Sequence, residues 1–167
     1  MTTEQSPVDL QSAFREVMSK VCTPVAVVTA LAGERPHGTT VSAFASLSMT
    51  PPMVLVSLNR RSDLLAIVCD TGRFGLNVLA GEQSALAVAF ARKGADRFAE
   101  VDWEIDTDVP RISGAGGFVA CAVAQLTKGG DHVIALGNVR SASVLPARPL
   151  TYHDRAFGTY APLATLT

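Results

Sequence analysis

The chain has 167 residues, of which 48% are hydrophobic and only 17% charged, with 14 Lys and Arg against 15 Asp and Glu. This length suits one domain that can bury a core without disulfide staples, and the composition excludes a disordered chain. The near-zero net charge argues against nucleic acid as the main partner, since phosphate binding needs a basic excess, and so few charges favour an oligomer that hides apolar surface between subunits.

Residues 1–8 read as a flexible tail and 9–167 as a single domain. The opening MTTEQSPVDLQ lacks the basic head and apolar core of a signal peptide. The apolar runs are too short to span a bilayer, so no membrane association is expected. Asp9 to Val21 reads as a helix, because Leu10, Phe14, Val17 and Val21 recur at three- and four-residue steps. Thr23-Pro24 ends it. PVAVVTAL (24–31) is strand-like and AGERPHG reads as a turn.

Next comes HGTTVSAFASLSMTPP, from His37 to Pro52. Taken as one extended segment from Thr40 to Thr50, its side chains alternate between two faces. One face carries Thr40, Ser42, Phe44, Ser46, Ser48 and Thr50; the other carries Val41, Ala43, Ala45, Leu47 and Met49. The apolar face is expected to pack inward. The hydroxyl face is either a solvated sheet surface or a ligand-binding one, since small hydroxyls donate without blocking close approach. The absence of Lys or Glu favours contact with something uncharged or anionic.

MVLVSLN (53–59) is a further strand. Ser62 is placed to cap a helix that ends at Gly72. RFGLNVLA (73–80) is strand-like, and EQSALAVAFARKG (82–94) is a short helix stopped by Gly94. Residues 95–117 read as a polar, irregular connection holding the one Trp. FVACAVAQLT (118–127) and HVIALGNVRSASVL (132–145) flank KGGD and read as a long hairpin. A last strand is expected in RPLTYHDRAFGTY. The strands follow one another with little strand–helix alternation, which disfavours a parallel α/β sheet. A mainly β fold results, an antiparallel barrel or sandwich with a few peripheral short helices. Cys22, Cys69 and Cys121 are far apart and form no CxxC pair, so each reads as a small buried side chain in a reducing, cytoplasmic setting.

Five blocks together carry a resemblance: GTTVSAFASLSMTPPMVLVSLNRRS, RFGLNVL, RKGADRF, GGDHVIALGNV, and RPLTYHD with GTY. In this order and spacing, from about Phe14 to Tyr160, the chain resembles the flavin reductase family with the FMN-binding split-barrel fold. One departure is Thr50, which stands where an Asp often precedes the Pro-Pro pair. The resemblance implies an antiparallel split β-barrel of Greek-key type and a homodimer. It implies an NAD(P)H:flavin oxidoreductase that uses FMN or FAD with NADH or NADPH. It also implies that reduced flavin is passed to a separate monooxygenase.

The family pattern also suggests roles for matching residues. Thr39, Thr40, Val41, Ser42 and Ala43 resemble the segment that meets the flavin ring and ribityl chain, with Ser46 similarly placed. Ser57, Leu58 and Asn59 resemble the next strand's end of the site, and Ser62 a phosphate ligand at a helix N-terminus. Arg97 resembles a phosphate contact and Phe98 a flavin-edge contact. His132 resembles the histidine near the nicotinamide, and Tyr152, His153 and Arg155 resemble residues lining the dinucleotide site. Hydride transfer from nicotinamide to flavin needs aligned rings and donors for developing charge, not an acid–base pair or a nucleophile. The competing reading is a non-catalytic flavin-binding or carrier protein on the same barrel.

Residues taken singly have other readings. His132 alone reads as a surface turn histidine. His37, His132 and His153 lack metal-ligand spacing. SGAGG (113–117) precedes a strand rather than a helix and is no dinucleotide fingerprint. Arg60-Arg61 is either a solvated pair or a phosphate aid. Asn77 reads as a core residue bonded to backbone, and Trp103 as a core or interface plug.

Overall fold

A computed structural model describes residues 6–163 except Lys93 and Ala95. In chain order the elements are α1 (Pro7–Ser19), β1 (Thr23–Pro24), β2 (Ala26–Ala32), β3 (Arg35–Val41), β4 (Phe44–Met49) and β5 (Pro52–Asn59). Then come α2 (Asp63–Thr71), β6 (Arg73–Val78), α3 (Ser84–Ala91), β7 (Trp103–Asp106) and β8 (Val109–Ile112). The chain closes with β9 (Gly117–Gly129), β10 (His132–Val144), β11 (Leu150–His153) and β12 (Ala156–Thr159).

Seven strands form one antiparallel sheet in the order β3-β2-β6-β9-β10-β5-β4. The edge strands β3 and β4 are not hydrogen-bonded neighbours, so the barrel is split. Its interior holds Ala26, Val28 and Ala30 of β2, Val56 and Leu58 of β5, and Phe74 and Leu76 of β6. Leu64, Leu65 and Val68 of α2 join this core. Packing there is close enough to dictate residue size: a Cβ on Gly137 would lie 2.6 Å from the Phe74 ring. A second core lies on the other face of β2, where Val25 and Val27 meet Ala87 and Phe90 of α3. Burial on both faces explains why β2 is apolar on both sides, Thr29 excepted.

The hairpin of β9 and β10 forms as its composition predicts. Gly130 takes φ 59 in a two-residue turn that pairs Gly129 with His132. α2 ends as expected at Gly72, whose φ is 66. Several other expectations change. The supposed turn AGERPHG is a turn only at Gly33 and Glu34, and Arg35 already begins β3. The connection 95–117 contains the hairpin of β7 and β8. α1 starts at Pro7, within the stretch read as tail, because Ser6 caps it by accepting from the Asp9 N–H at 3.2 Å. Residues 1–5 of that tail lie outside the described residues. Cys121 is buried, and burial pushes its thiol up to about 12. Cys22 and Cys69 are exposed, contrary to the expectation for all three. Cys22 follows a helix that buries none of its side chains, and Cys69 lies on the open side of α2.

The hydroxyl stretch is not one strand. β3 ends at Val41, Ser42 and Ala43 form a break, and β4 starts at Phe44. The pairing of β4 with β5 then slips between Ser46 and Ser48. The expected sorting holds for Val41, which packs against the core, and for Ser42 and Ser46, which are exposed, but it fails for Phe44 and the neighbouring apolar residues. Phe44 packs against the barrel core, while Ala43, Ala45, Leu47 and Met49 are exposed. Among the described residues, no helix is long and apolar enough to cross a membrane.

Candidate functional site

The register of β5 against β10 builds the site. Ser57 stands opposite Ile134, and Asn59 opposite His132. Val54, Val56 and Leu58 point into the barrel, so the alternating residues Met53, Leu55, Ser57 and Asn59 face outward. His132 shares that outward face as the cross-strand neighbour of Asn59. The break after β3 comes to the same place, because the Ser57 N–H donates to the Ala43 carbonyl at 2.9 Å.

At the end of β5 the chain closes a cleft of about 580 Å³ lined by Asn59, Arg60, Arg61 and Asp131. Two hydrogen bonds hold its walls. The Arg60 N–H donates to the Asp131 carbonyl, and the Arg61 N–H to Asn59 Oδ1, both at 2.9 Å. The Asp131 carboxylate lies 2.7 Å from His132 Nδ1, and this bond and charge hold the carboxyl below its ordinary range. Ser62 follows at the N-cap of α2. Its hydroxyl makes no capping bond, so it is not committed to the helix. Two cations, a hydroxyl and a helix start therefore occur within three consecutive residues, a donor set suited to an anion.

Other predicted site residues are placed elsewhere. Leu58 is 1% exposed in the barrel core and Val41 packs against that core, so only their backbones can meet a ligand. The Thr40 hydroxyl donates to the Ala87 carbonyl of α3 at 2.7 Å and ties β3 to the helix. Thr39 stays half-buried opposite Val28, while Ser42 and Ser46 are exposed.

Arg97 Nη1 donates to the carbonyls of Gly38 at 2.6 Å and Phe90 at 3.2 Å. That nitrogen clamps the loop after α3 and is not free for phosphate. Phe98 is 6% exposed, with its ring 4.9 Å from Phe90 and 5.7 Å from Trp103. Edge-to-face packing thus encloses the Phe98 ring in the core of the single chain.

Tyr152, His153 and Arg155 do not line the cleft. They belong to the small sheet of β1, β11 and β12 and its turn. Tyr152 stacks edge-on with Phe157 at 5.2 Å, and Arg155 Nη2 reaches Glu16 Oε2 of α1 at 2.8 Å. Lys20 pairs with Asp154 at 2.9 Å; the pair raises Lys20 and lowers Asp154 from their ordinary values. These exposed contacts tie the turn to α1. The reading of residues missed the Asp131 carboxylate, although GGDH places it directly before His132.

This outline has counterparts among known proteins. The model of the flavin reductase like domain matches residues 18–161. A flavin reductase (NADPH) of Lentzea aerocolonigenes is 40% identical over 153 residues, 89% of this chain and 89% of that protein. The reductase component of a 4-nitrophenol 4-monooxygenase/4-nitrocatechol 2-monooxygenase from Rhodococcus opacus is 36% identical over 156 residues, 93% of this chain and 84% of that protein. Among solved structures, the NADH:FAD oxidoreductase SgcE6 of Streptomyces globisporus, in complex with NAD and FAD fragments, superposes with a TM-score of 0.88 at 32% identity. That superposition covers 98% of this chain and 99% of the other. With its split antiparallel barrel and a domain match spanning most of its length, this chain belongs to the flavin reductase like family.

Proposed function

We propose that this protein is an NAD(P)H:flavin oxidoreductase that uses FMN or FAD and hands reduced flavin to a separate monooxygenase component. The observation that carries the reading is the convergence, through the β5–β10 register, of Ser57, Asn59 and His132 beside the cleft of Arg60, Arg61 and Asp131. The donor chemistry fits a flavin mononucleotide portion. Arg60 and Arg61 offer positive charge, and the Ser62 hydroxyl and the start of α2 suit a phosphate. Ser42 and Ala43 are small and exposed beside Ser57, which leaves room for a flat ring against backbone. Ser42, Ala43, Ser46, Ser57, Asn59 and Ser62 are retained as flavin contacts, and Thr39, whose side chain shares the inward face of Val28, through its backbone.

When bound, the flavin supplies the ring that accepts hydride from the reduced nicotinamide. The chain's own part is positioning. Asn59 and its neighbours hold one ligand on the outward face of the sheet, and His132 orients the other. A second copy of the chain covers the outward face of β4, β5 and β10, where Leu47 and Met49 are exposed and Leu55, Ile134 and Leu136 half-buried. Three free cysteines suit a reducing compartment such as the cytoplasm.

The test is spectroscopic. Purified protein is mixed with FMN or FAD and with NADH or NADPH in air, and the nicotinamide absorbance band is followed. Flavin-dependent loss of the band is expected for at least one pairing. If all four pairings leave the band unchanged, the reductase reading fails.

A further inference from the structure

His132 begins β10 directly after the turn, on the outward face opposite Asn59. One ring nitrogen, Nδ1, is taken by Asp131 Oδ1 at 2.7 Å. The other, Nε2, has no partner among the described residues, and the ring is partly open to solvent. A carboxylate only accepts, so against a neutral imidazole the shared proton belongs on Nδ1. Nε2 is then left as a lone-pair acceptor. The backbone holds this arrangement from a second direction, because the Asp131 carbonyl accepts from the Arg60 N–H. Neither strand can shift by one residue without moving Asp131 away from the cleft.

We propose that Asp131 is a positioning residue that fixes His132 as the Nδ1–H tautomer and so presents Nε2 to the ligand as a hydrogen-bond acceptor. This rests on the reading of His132 as the nicotinamide residue and gives it a specific chemistry. An acceptor at Nε2 selects a ligand that brings a donor, and the carboxamide NH₂ of a nicotinamide is one. A histidine held in the opposite tautomer would present N–H there and face that NH₂ donor to donor. Second-sphere carboxylates select histidine tautomers by the same principle in other sites.

Two variants and two readouts test it. Asp131→Ala removes the acceptor and keeps the backbone bond to Arg60. Asp131→Asn keeps an acceptor oxygen and loses the charge. Long-range ¹H–¹⁵N spectra of the flavin-free, histidine-labelled protein at alkaline pH report the tautomer without reference to turnover. The wild type is expected to show His132 with the proton on Nδ1, Asp131→Ala to move it largely to Nε2, and Asp131→Asn to retain part of the wild-type signal. In turnover, Asp131→Ala is expected to raise the KM for NAD(P)H about two- to fivefold, the scale of an exposed charged contact, with a smaller change in kcat and in flavin affinity.

A His132 ring that keeps its tautomer in Asp131→Ala, or carries the proton on Nε2 in the wild type, overturns the proposal. A tautomer that shifts while the KM for NAD(P)H stays constant upholds the positioning role of Asp131 but overturns the ligand assigned to Nε2. A protein with the expected spectra and no turnover with any flavin overturns the reductase reading alone.

Discussion

Ser62 shows how a residue at a helix start can be separated from the helix itself. An N-cap serine usually accepts from the first turn, and its replacement by alanine costs about 1 kcal/mol. Here the Ser62 side chain makes no such bond. Ser62→Ala should therefore leave the unfolding midpoint within a few tenths of a kcal/mol, on the order of an ordinary surface change. If the hydroxyl meets a phosphate, FMN affinity should fall about 10- to 100-fold, the scale of one hydrogen bond to a charged group. Riboflavin, which lacks the phosphate, should bind Ser62→Ala and wild type alike. Fluorescence titration of both ligands decides it: equal weakening of the two would rule out a phosphate contact.

Ser62 was legible as a cap because its pattern is a local signal. The Gly-Gly turn alone made His132 a surface histidine, and only the resemblance of GGDH to the family pattern made it a candidate. The contacts of Thr40 and Phe98 were not legible. Alternation put Thr40 on a hydroxyl face, and nothing near it in sequence reports that Ala87 offers a carbonyl 2.7 Å away. Phe98 adjoins a clamped Arg97, and its burial comes from Phe90 and Trp103, which belong to other elements.

Among the elements, the hairpin of β7 and β8 depends on one buried amide. Asn77 of β6 is fully buried. Its Oδ1 accepts from the Ile112 N–H at 2.7 Å, and its Nδ2 donates to Thr29 Oγ1 at 3.2 Å and to the Val27 carbonyl at 3.3 Å. Thr29 Oγ1 donates in turn to the Pro110 carbonyl at 2.6 Å. One residue thus joins β2, β6 and β8. Asn77→Ala would leave the buried Ile112 N–H without a partner. A loss of about 2–4 kcal/mol is expected, from the orphaned groups plus a small cavity. Urea unfolding measures it directly, and an unchanged midpoint would mean that the network carries no net stability.

The polar nature of Asn77 was visible in an apolar strand, but the hairpin it holds was not. Residues 103–112 are short, charged and interrupted by Pro110, so they read as irregular until Asn77 supplies the tie. The hydroxyl stretch went wrong for a related reason. Period-2 alternation separates two faces but does not say which is inside. That choice depends on Val56 waiting opposite Phe44, a contact between different strands.

For the molecule as a whole, scarce charge and uncovered apolar surface are two views of one fact. The outward face of β4, β5 and β10 has Leu55 at its middle, paired with Ala45 on one side and Leu136 on the other. This side chain is half-buried in the single chain, so an Asp there should be tolerated by the fold. At the centre of a subunit contact the same Asp would bury an unpaired charge. The wild type is expected to sediment as a dimer at micromolar concentration, and Leu55→Asp to weaken association at least about 30-fold, the scale of a central interface residue. A monomeric wild type would end the dimer proposal. A dimer indifferent to Leu55→Asp would move the contact away from this sheet face. The choice of Leu55 also bears on the site. Ser57 and Asn59 continue the same outward row, so a partner seated on Leu55 borders the cleft. Dissociation by Leu55→Asp should then weaken flavin binding as well, although Leu55 itself supplies no polar contact. Flavin affinity that holds through complete dissociation would show that one chain builds the site alone.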